Sequence, residues 1–520
     1  MMNKTFLGLM LILGCPAAAT AQTTLAGMGE YQYDDAMQLW RNTANAAGLT
    51  VDSARNRGVA MFDLSHREGD FHRVQEGGQR NQLEFFTERY QTIGKYLYGY
   101  GKFRFNMGRT KQRAWCDVMR PYNSNPFFGG SSVLGKYDNQ DFDLTAAVGT
   151  TSFNGFRFGA RLDYQVGDLS RLRDPRSRSQ LLDYQITPSV AWSAGNHTLG
   201  VAAFYHRRKE KIPNINTVQT DATLKYYIMT GMESAVGTTR GYAGFQREWV
   251  DHSFGGELSY GYQGSAFTTL NTFGMRHGNE GVYGNYKYEP GKYVTYGFSF
   301  ATQNRLQTDR AIHQLDVKAG YEQAYADEYR QELVIESDPK TGYSSYHYNT
   351  QITFKKRYQV NLFDASLHYR ANLTDGTAKI THFIGVLADI NTAKNKHLLP
   401  ESKLEYGGTN LQLEGGTALW GDRLWVEANA GYHFSNKADL QLADREGDYA
   451  QSVILPDMAF YEADYWRARL KLTWQFPLAI KGVRSRGFVS AYGDMLKTNN
   501  SLNRSQIGLS FGIYNKKFLR

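Results

Sequence analysis

The sequence has few cysteines and no long apolar run after its N-terminus, and each of these absences excludes a class of protein. It has only 2 cysteines in 520 residues, which excludes a disulfide framework and a zinc site built from cysteines. No apolar run of about 18 residues follows the N-terminus, so membrane-spanning helices are excluded; the mean hydropathy of −0.53 agrees. Charged residues make up 21% and aromatic residues 14%. Because disordered chains have few aromatics, the chain is expected to be ordered.

Alternation of apolar and polar residues is the main pattern that the sequence does contain. In residues 465–476, tryptophan, leucine and phenylalanine alternate with arginine, lysine and glutamine. Residues 156–166, 424–434 and 507–513 show the same pattern. A period of two is typical of strands that have one apolar face and one polar face. The sequence therefore predicts an all-β fold.

The polar faces distinguish a membrane barrel from a soluble β-sandwich. The apolar stretches are about 9–11 residues long, as a tilted membrane-crossing strand requires, and aromatic residues lie at their ends. A buried sandwich face would not tolerate Arg467, Arg469 and Lys471 together, whereas a water-filled lumen would. We predict a single large transmembrane antiparallel β-barrel of about 18 strands, range roughly 16–20, with a short N-terminal helical segment.

Turn and loop lengths also favour a barrel. Short connections rich in turn-forming residues occur at 92–94, 195–196, 264–265 and 374–376. Longer polar segments predict loops near 110–136, 170–182, 207–222, 335–346 and 438–452. Short turns on one side and long loops on the other are typical of outer-membrane barrels.

The N-terminus indicates export. Residues 1–21 are predicted to be a signal peptide, with Lys4 in its charged part and an A-x-A cleavage site that ends at Ala21. Lipidation at Cys15 is the alternative. Since no helical membrane span follows, the expected location is the outer membrane of a Gram-negative bacterium.

Residues 22–56 do not alternate and are expected to form a periplasmic, plug-like segment before a barrel of residues 57–520. Asp34 is predicted to cap a short helix in which Met37 and Trp40 recur at helical spacing and after which Gly48 follows. If the segment gates the barrel, Trp40, Asn45 and Gly48 are the gate candidates.

The stretch Asn45-Ala46-Ala47-Gly48-Leu49 resembles the Asn-Pro-Ala-Gly element of long-chain fatty-acid transporter barrels, with Ala46 in place of the proline. More broadly, the chain resembles an uncharacterised family of outer-membrane β-barrel proteins of Bacteroidota. Trp115-Cys116-Asp117 and Asp174-Pro175-Arg176 contribute to this resemblance. It implies a location and a fold, and it assigns no functional residues.

No motif for catalysis, phosphate binding or metal binding is present in the sequence. Ser366, His368 and Asp364 fall on one face of a single strand, whereas a catalytic triad needs side chains that converge from different places. We therefore expect no enzyme activity, no catalytic residue, no cofactor and no metal site.

The net charge of +9 has two interpretations. A basic ring in the lumen would favour anions in a pore, whereas arginine–carboxylate pairs would fill the lumen. The lumen-facing candidates for ligand or ion binding are Arg157, Arg161, Arg370, Arg467, Arg469 and Lys471. Because these charges are spread over many strands, nucleic acid is not an expected partner.

Four functions remain open. The preferred one is a channel or an accessory subunit in nutrient uptake. The alternatives are a carrier for hydrophobic compounds, which needs an apolar pocket behind the N-terminal helix, a barrel enzyme, and a structural or surface scaffold without transport. The expected partners are outer-membrane lipid and another outer-membrane receptor or lipoprotein, and the sequence names no small-molecule ligand.

Overall fold

The computed structural model describes residues 27–52, 56–218, 224–238, 245–376, 378–480 and 483–517. The expected signal peptide and Cys15 lie outside these residues. Within them, no helix has the length and apolar character needed to cross a bilayer.

Eighteen long antiparallel strands form one closed barrel, as the alternation predicts. They are β1 (Asn56–Gly69), β2 (Gln79–Ile93), β3 (Leu97–Arg113), β5 (Gly135–Thr150), β6 (Phe156–Arg171), β7 (Arg176–Ala194), β8 (His197–Ile212), β12 (Arg247–Gln263), β13 (Phe267–Tyr283), β14 (Gly291–Gln307), β15 (Ala311–Ser337), β16 (Ser344–Thr374), β17 (Ile380–Leu398), β18 (Glu401–Leu419), β19 (Leu424–Gln441), β20 (Tyr465–Ile480), β21 (Val483–Thr498) and β22 (Asn503–Lys517). Each strand pairs with its neighbours in chain order. The barrel closes where β1 pairs with β22, from Asn56 opposite Lys517 to Gly69 opposite Arg504.

Four short strands lie in the loops: β4 (Gly129–Ser131), β9 (Ile215–Asn216), β10 (Tyr226–Gly231) and β11 (Ser234–Thr238). Strands β11, β10 and β4 form a separate three-stranded sheet.

The outer face of the barrel is an apolar belt. Phe62, Leu144, Phe158 and Leu470 point outward and stay exposed, while the residues between them point into the lumen. A closed sheet leaves no strand edge unpaired, and an apolar outer face suits lipid. The confirmed period-two pattern therefore corresponds to lipid on one side of the wall and a polar lumen on the other.

The two ends of the barrel differ in their connections. Short turns join β2 to β3, β7 to β8, β12 to β13 and β16 to β17, as predicted. This end also carries the start of β1 and the end of β22, and it is the periplasmic end by the usual asymmetry of these barrels. The longest connections, between β3 and β5, between β8 and β12 and between β19 and β20, lie at the extracellular end.

Two predicted loops are wrong in extent. Strand β6 continues to Arg171 and β7 begins at Arg176, so most of the expected 170–182 loop is strand. Likewise β15 and β16 pair as far as Ser337 opposite Ser344, which leaves only 338–343 as a loop. Strands that extend above the membrane have water on both faces, so a polar composition there does not distinguish strand from loop.

The N-terminal helix is present with different bounds. Helix α1 spans Met28–Met37, and 3-10 turns follow at Trp40–Asn42 and Ala46–Thr50. The Glu30 carboxylate accepts the Gly27 N–H (2.8 Å) at its start, so Asp34 lies inside the helix and Gly48 inside the second 3-10 turn.

Three further helical turns occur in the loops. They are a 3-10 turn at Asn285–Lys287, a π-helical turn at Ala450–Ile454 and helix α2 at Leu455–Tyr461.

Candidate functional site in the barrel lumen

Residues 27–52, called the plug below, cross the periplasmic mouth of the barrel. At one side Met28 belongs to an apolar cluster with residues of β1, β17, β19, β21 and β22, which are Val59, Ile380, Phe383, Trp425, Phe488 and Tyr514. At the opposite side Ala46 and Leu49 pack against residues of β2, β3 and β5, which are Tyr90, Tyr100 and Ala147. The plug therefore spans the opening from wall to wall.

A row of small residues seats the plug backbone. Gly149, Gly159, Ser189 and Ala202 are cross-strand neighbours on β5, β6, β7 and β8. A Cβ atom added to Gly149 would lie 2.5 Å from the Ala46 carbonyl oxygen, and one added to Gly159 would lie 2.2 Å from the Ala47 nitrogen. Only glycine permits this approach of two backbones.

The three gate candidates lie together in the centre of the plug. Trp40 is 3% exposed, and its ring lies on Gly48, where an added Cβ would come within 2.1 Å of it. Asn45 is fully buried; its side chain accepts the Ala47 N–H (3.0 Å) and donates to the Val190 carbonyl oxygen (3.2 Å). The structure thus brings the three residues into one contact region.

The plug is bonded to the wall through both its side chains and its backbone; among the side chains, Tyr31 donates to Glu88 (2.7 Å) and Asp35 pairs with Arg57 (3.3 Å). Wall side chains donate to four of its carbonyl oxygens: Arg57 to Tyr31 (3.2 Å), Arg305 to Ala36 (2.5 Å), Gln303 to Leu39 (3.1 Å) and Arg161 to Thr43 (3.3 Å). Wall side chains accept from three of its N–H groups: Gln475 from Met28 (2.8 Å), Glu257 from Ala44 (3.1 Å) and Ser189 from Ala47 (3.1 Å). Polar contacts therefore hold much of the plug.

Parts of three loops, residues 114–131, 226–238 and 442–464, lie over the extracellular end and are called the cap below. They share an apolar core in which Trp115 packs against Tyr227 (ring centroids 4.3 Å apart) and Tyr449 (5.4 Å). Wall residues such as Trp249 and Tyr293 complete this core. The cap is thus anchored by apolar packing.

The thiol of Cys116 lies inside the cap. It is fully buried, donates to the Val118 carbonyl oxygen (3.2 Å) and accepts a hydrogen bond from Arg113 (3.3 Å). Burial raises the pKa of the Cys116 thiol to about 11, which leaves it protonated and unreactive near neutral pH.

Between the plug and the cap the lumen is a polar chamber. One part of it is a cavity of about 460 Å³ whose inner lining includes Glu84, Lys102, Arg104, Asp143 and Asp163. Arg104 bonds to Asp143 across neighbouring strands. The described residues therefore line a charged compartment between the plug and the cap.

The six predicted lumen residues all lie on inner faces, on β6, β16 and β20. Most of them have carboxylate partners: Arg161 with Asp163 (2.7 Å), Arg370 with Glu414 (3.3 Å), Arg467 with Asp494 (2.7 Å) and Lys471 with Glu427 (3.3 Å). Arg157 donates to Ser193 (2.6 Å), and Arg469 lies over the Tyr492 ring. Their proposed role in binding ligands or ions stays a prediction.

The residues considered for a catalytic triad do not act together. His368 Nε2 lies 2.8 Å from a Glu414 oxygen, and Asp364 lies over Gly320 on the neighbouring strand. Among the residues that the structure describes, no group of three or more His, Cys, Asp or Glu side chains could hold a metal ion.

No pattern in the sequence marks the wall residues that hold the plug. Glu257, Gln303 and Arg305 resemble any other lumen residue in sequence. Gly159, however, stands on the polar face of the alternating segment 156–166, where a larger polar residue is the rule, and such a glycine can mark a close backbone approach.

The closed sheet, the apolar belt and the asymmetry of turns and loops define a β-barrel of the outer-membrane type. The chain belongs to a family described as "Family of unknown function (DUF6850)", whose model matches residues 46–515. A search among curated protein sequences finds no match.

Three solved structures are similar to this chain at low levels of identity and structural overlap. The FrpB iron transporter of Neisseria meningitidis is 9% identical with a TM-score of 0.39, over 92% of this chain and 83% of that one. The transporter YddB of Escherichia coli is 7% identical with a TM-score of 0.41, over 88% and 80%. A Pseudomonas aeruginosa FadL homologue is 8% identical with a TM-score of 0.34, over 95% and 98%. Scores of this size carry no argument about function.

Proposed function

We propose that this protein is a gated outer-membrane channel for the uptake of small polar solutes, with the plug as its periplasmic gate. The observation that carries the proposal is a charged chamber that is covered by the plug below and by the cap above. In this state the plug and the cap both lie in the path of a solute, so transport requires the plug to move at the periplasmic end and the solute to pass beside the cap loops at the extracellular end.

The plug is the segment more suited to move. Its apolar contacts are divided among small clusters, and many of its other wall contacts are single hydrogen bonds, each of which contributes only about 0.5–1.5 kcal/mol net because water replaces a broken bond. Local opening of such a segment leaves the barrel intact. The polar lining of the chamber also favours polar solutes over the hydrophobic cargo considered as an alternative.

The test is conductance in planar bilayers with a plug that cannot seat. Gly159→Val places side-chain atoms where the Ala47 backbone lies, so the plug must leave this part of the wall. We expect low conductance for the wild type and a severalfold higher conductance for Gly159→Val. The matched control is Gly101→Val, because a Cβ at Gly101 has nothing within 4 Å.

The folded state of each variant is checked first by the heat-modifiable mobility that intact barrels show in gel electrophoresis. If folded Gly159→Val conducts no better than the wild type, the plug is not the gate. If no variant conducts and none releases solute from liposomes, the channel function fails and a scaffold without transport takes its place.

A second candidate, an accessory subunit of an uptake complex, is favoured by the hairpin of β15 and β16. Its tip, residues 330–354, extends beyond β14 and β17, so neither of its edges pairs with another strand among the described residues. Ile335 and Tyr343 are exposed on it. Unpaired edges with apolar side chains are sites where another chain can add.

The accessory function is tested by a photo-reactive residue in place of Tyr343 in cells. Cross-linking to one outer-membrane receptor or lipoprotein, lost when residues 331–350 are replaced by a short turn, supports the accessory function. Cross-linking to lipid alone, or to nothing, contradicts it.

A further inference from the structure

A second cavity of the chamber lies just below the cap. It has a volume of about 350 Å³ and is enclosed by cap residues 118–125 on one side and by the inner faces of β8 and β12–β15 on the other. Pockets of about 300–1,000 Å³ are typical of small-molecule sites. Seven charged residues line it: Arg120, Arg208, Glu210, Asp251, Arg276, Glu280 and Glu322.

Five of the seven charges are satisfied within the protein. Arg120 bonds to Asp183 (2.9 Å), and Arg208 pairs with Glu210 and lies 3.7 Å from Glu280. Asp251 accepts the Ser253 hydroxyl (2.7 Å), and Glu280 accepts the Asn125 amide (2.8 Å). These groups form the fixed polar frame of the cavity.

The remaining two charges are Arg276 and Glu322. Among the described residues, neither has an ion pair within 4 Å or a hydrogen bond through its side chain. The charges that act on the Glu322 carboxylate are those of Arg276, Arg120 and Asp251, through longer-range electrostatic interaction. Charges that are partly removed from water are costly unless they are paired, and among the described residues Arg276 and Glu322 are the two charges of this cavity that have no partner within the protein.

The barrel register places the two charges on either side of a glycine. Arg276 on β13 is opposite Gly297 on β14, which is opposite Glu322 on β15. With strands about 4.8 Å apart, the Cα atoms of Arg276 and Glu322 are about 10 Å apart. A Cβ at Gly297 would meet only the Arg276 Cβ, at 3.8 Å, so no side chain stands between the two charges on the wall.

We infer that this cavity binds a small zwitterion, a solute that carries a carboxylate and an ammonium group, such as an amino acid or a dipeptide. The Arg276 guanidinium would hold the carboxylate, ideally through two parallel hydrogen bonds. The Glu322 carboxylate would hold the ammonium group, and Gly297 leaves room for the atoms between them. This inference names the solute class for the proposed uptake function and rests on it.

A simple anion or cation fits this site less well. An anion on Arg276 leaves Glu322 unpaired, and a cation on Glu322 leaves Arg276 unpaired. A zwitterion supplies both partners in one binding event, which removes both unpaired charges at once.

The test measures binding in detergent by titration calorimetry, without any need for transport. The probes are L-alanyl-L-alanine, its N-acetyl derivative, which lacks the ammonium group, and its C-terminal amide, which lacks the carboxylate. The variants are Arg276→Gln and Glu322→Gln. The matched controls are Lys318→Gln and Asp364→Asn, since both residues lie on inner faces of the barrel but outside this cavity.

We expect the full-length wild type to bind the dipeptide at least tenfold more tightly than either capped probe. Arg276→Gln should lose this affinity for the dipeptide but bind the amide as the wild type does. Glu322→Gln should show the mirror pattern with the N-acetyl probe. The two controls should bind the dipeptide as the wild type does.

The inference is overturned if the dipeptide and the capped probes bind equally, if none binds, or if the controls lose as much affinity as the two cavity variants. Conductance of Gly159→Val separates the two proposals. Conductance without dipeptide binding contradicts the solute class alone, and dipeptide binding without conductance contradicts the channel alone.

Discussion

The cap and the plug cover opposite ends of the same chamber with different interactions. In the cap, Trp115, Tyr226 and Tyr449 belong to one buried apolar core that also includes wall residues. In the plug, the apolar contacts are divided among small clusters around Met28, Trp40 and Leu49, and the backbone between them is bonded to polar wall side chains. The cap therefore packs on one continuous apolar core, whereas the plug packs on small separate clusters joined by hydrogen bonds and ion pairs.

This difference has a physical consequence. Apolar burial stabilises by about 25 cal/mol per Å² and is lost all at once when a core opens, whereas hydrogen bonds of the plug are exchanged for bonds to water. We expect the cap to stay in place over a range of conditions in which the plug opens. The following predictions test that contrast.

The largest effect is expected for Trp115→Ala. Trp115 is 3% exposed and contacts two aromatic rings, so its removal should destabilise the cap by about 3–5 kcal/mol. Hydrogen exchange should show much lower protection of residues 114–131 and unchanged protection of the barrel strands. The matched control is Trp420→Ala, because Trp420 is 69% exposed. Unchanged protection in Trp115→Ala would show that the cap is not held by its apolar core.

The next effect is expected for Trp40→Ala in the plug. The Trp40 ring packs on Gly48 and lies near Gly200 and Gly261, so the substitution leaves a void and should weaken seating by about 3 kcal/mol. Conductance should rise while the protection of the cap stays unchanged. A rise in cap exchange together with conductance would mean that the two ends open together, which would contradict the contrast drawn above.

A smaller effect is expected for Asn45→Ala. The Asn45 side chain caps the turn at Ala46–Thr50, and loss of such a cap costs about 1 kcal/mol. Protection of the Ala47 amide should fall several-fold. Asn42→Ala is the control, since Asn42 is exposed and makes one long hydrogen bond to Gln303 (3.3 Å). Equal losses in both variants would argue against a special role for Asn45.

The smallest effect concerns pH, since each end contains a carboxyl group that is largely removed from water: Asp457 in the cap is buried and Asp52 in the plug is half-buried. Burial raises the pKa of Asp52 in the plug to about 7 and that of Asp457 in the cap to about 7. Asp52 accepts the Trp40 N–H (2.8 Å) and faces Arg41 and Arg305. Asp457 accepts the Val74 N–H (2.8 Å) and faces the side chains of Arg73, Glu76, Tyr122, Tyr449 and Tyr461.

The direction of this pH dependence follows from proton binding. A carboxyl group in an unfolded chain has a pKa of about 3.9, so the closed state binds more protons than the open state between about pH 4 and pH 7. Stability of the closed state should therefore fall as the pH rises through this range. Hydrogen exchange at pH 5 and pH 8, corrected for intrinsic rates, should show this at both ends. Asp52→Asn should remove the dependence in the plug alone and Asp457→Asn in the cap alone; any other pattern contradicts the assignment.

The barrel itself was predictable because its pattern is local. Residues 156–166 and 465–476 carry the alternation within a single strand, and lipid on one side with water on the other enforces it along every crossing. Turn residues at 195–196 and 374–376 are equally local. The predicted loop at 170–182 was wrong because alternation does not distinguish strand from loop where both faces of β6 and β7 contact water.

By itself, the sequence determined an exported, closed barrel of about 18 strands with a separate segment before it. Only the tertiary structure decided where that segment lies and what it touches. One row of neighbours crosses four strands: Gly149, Gly159, Ser189 and Ala202. Arg276 and Glu322 lie on β13 and β15, on either side of β14, so they are near each other in the sheet although they are far apart in the chain. The reason is physical: such sites arise from the register between strands, and register is set by closure of the whole barrel.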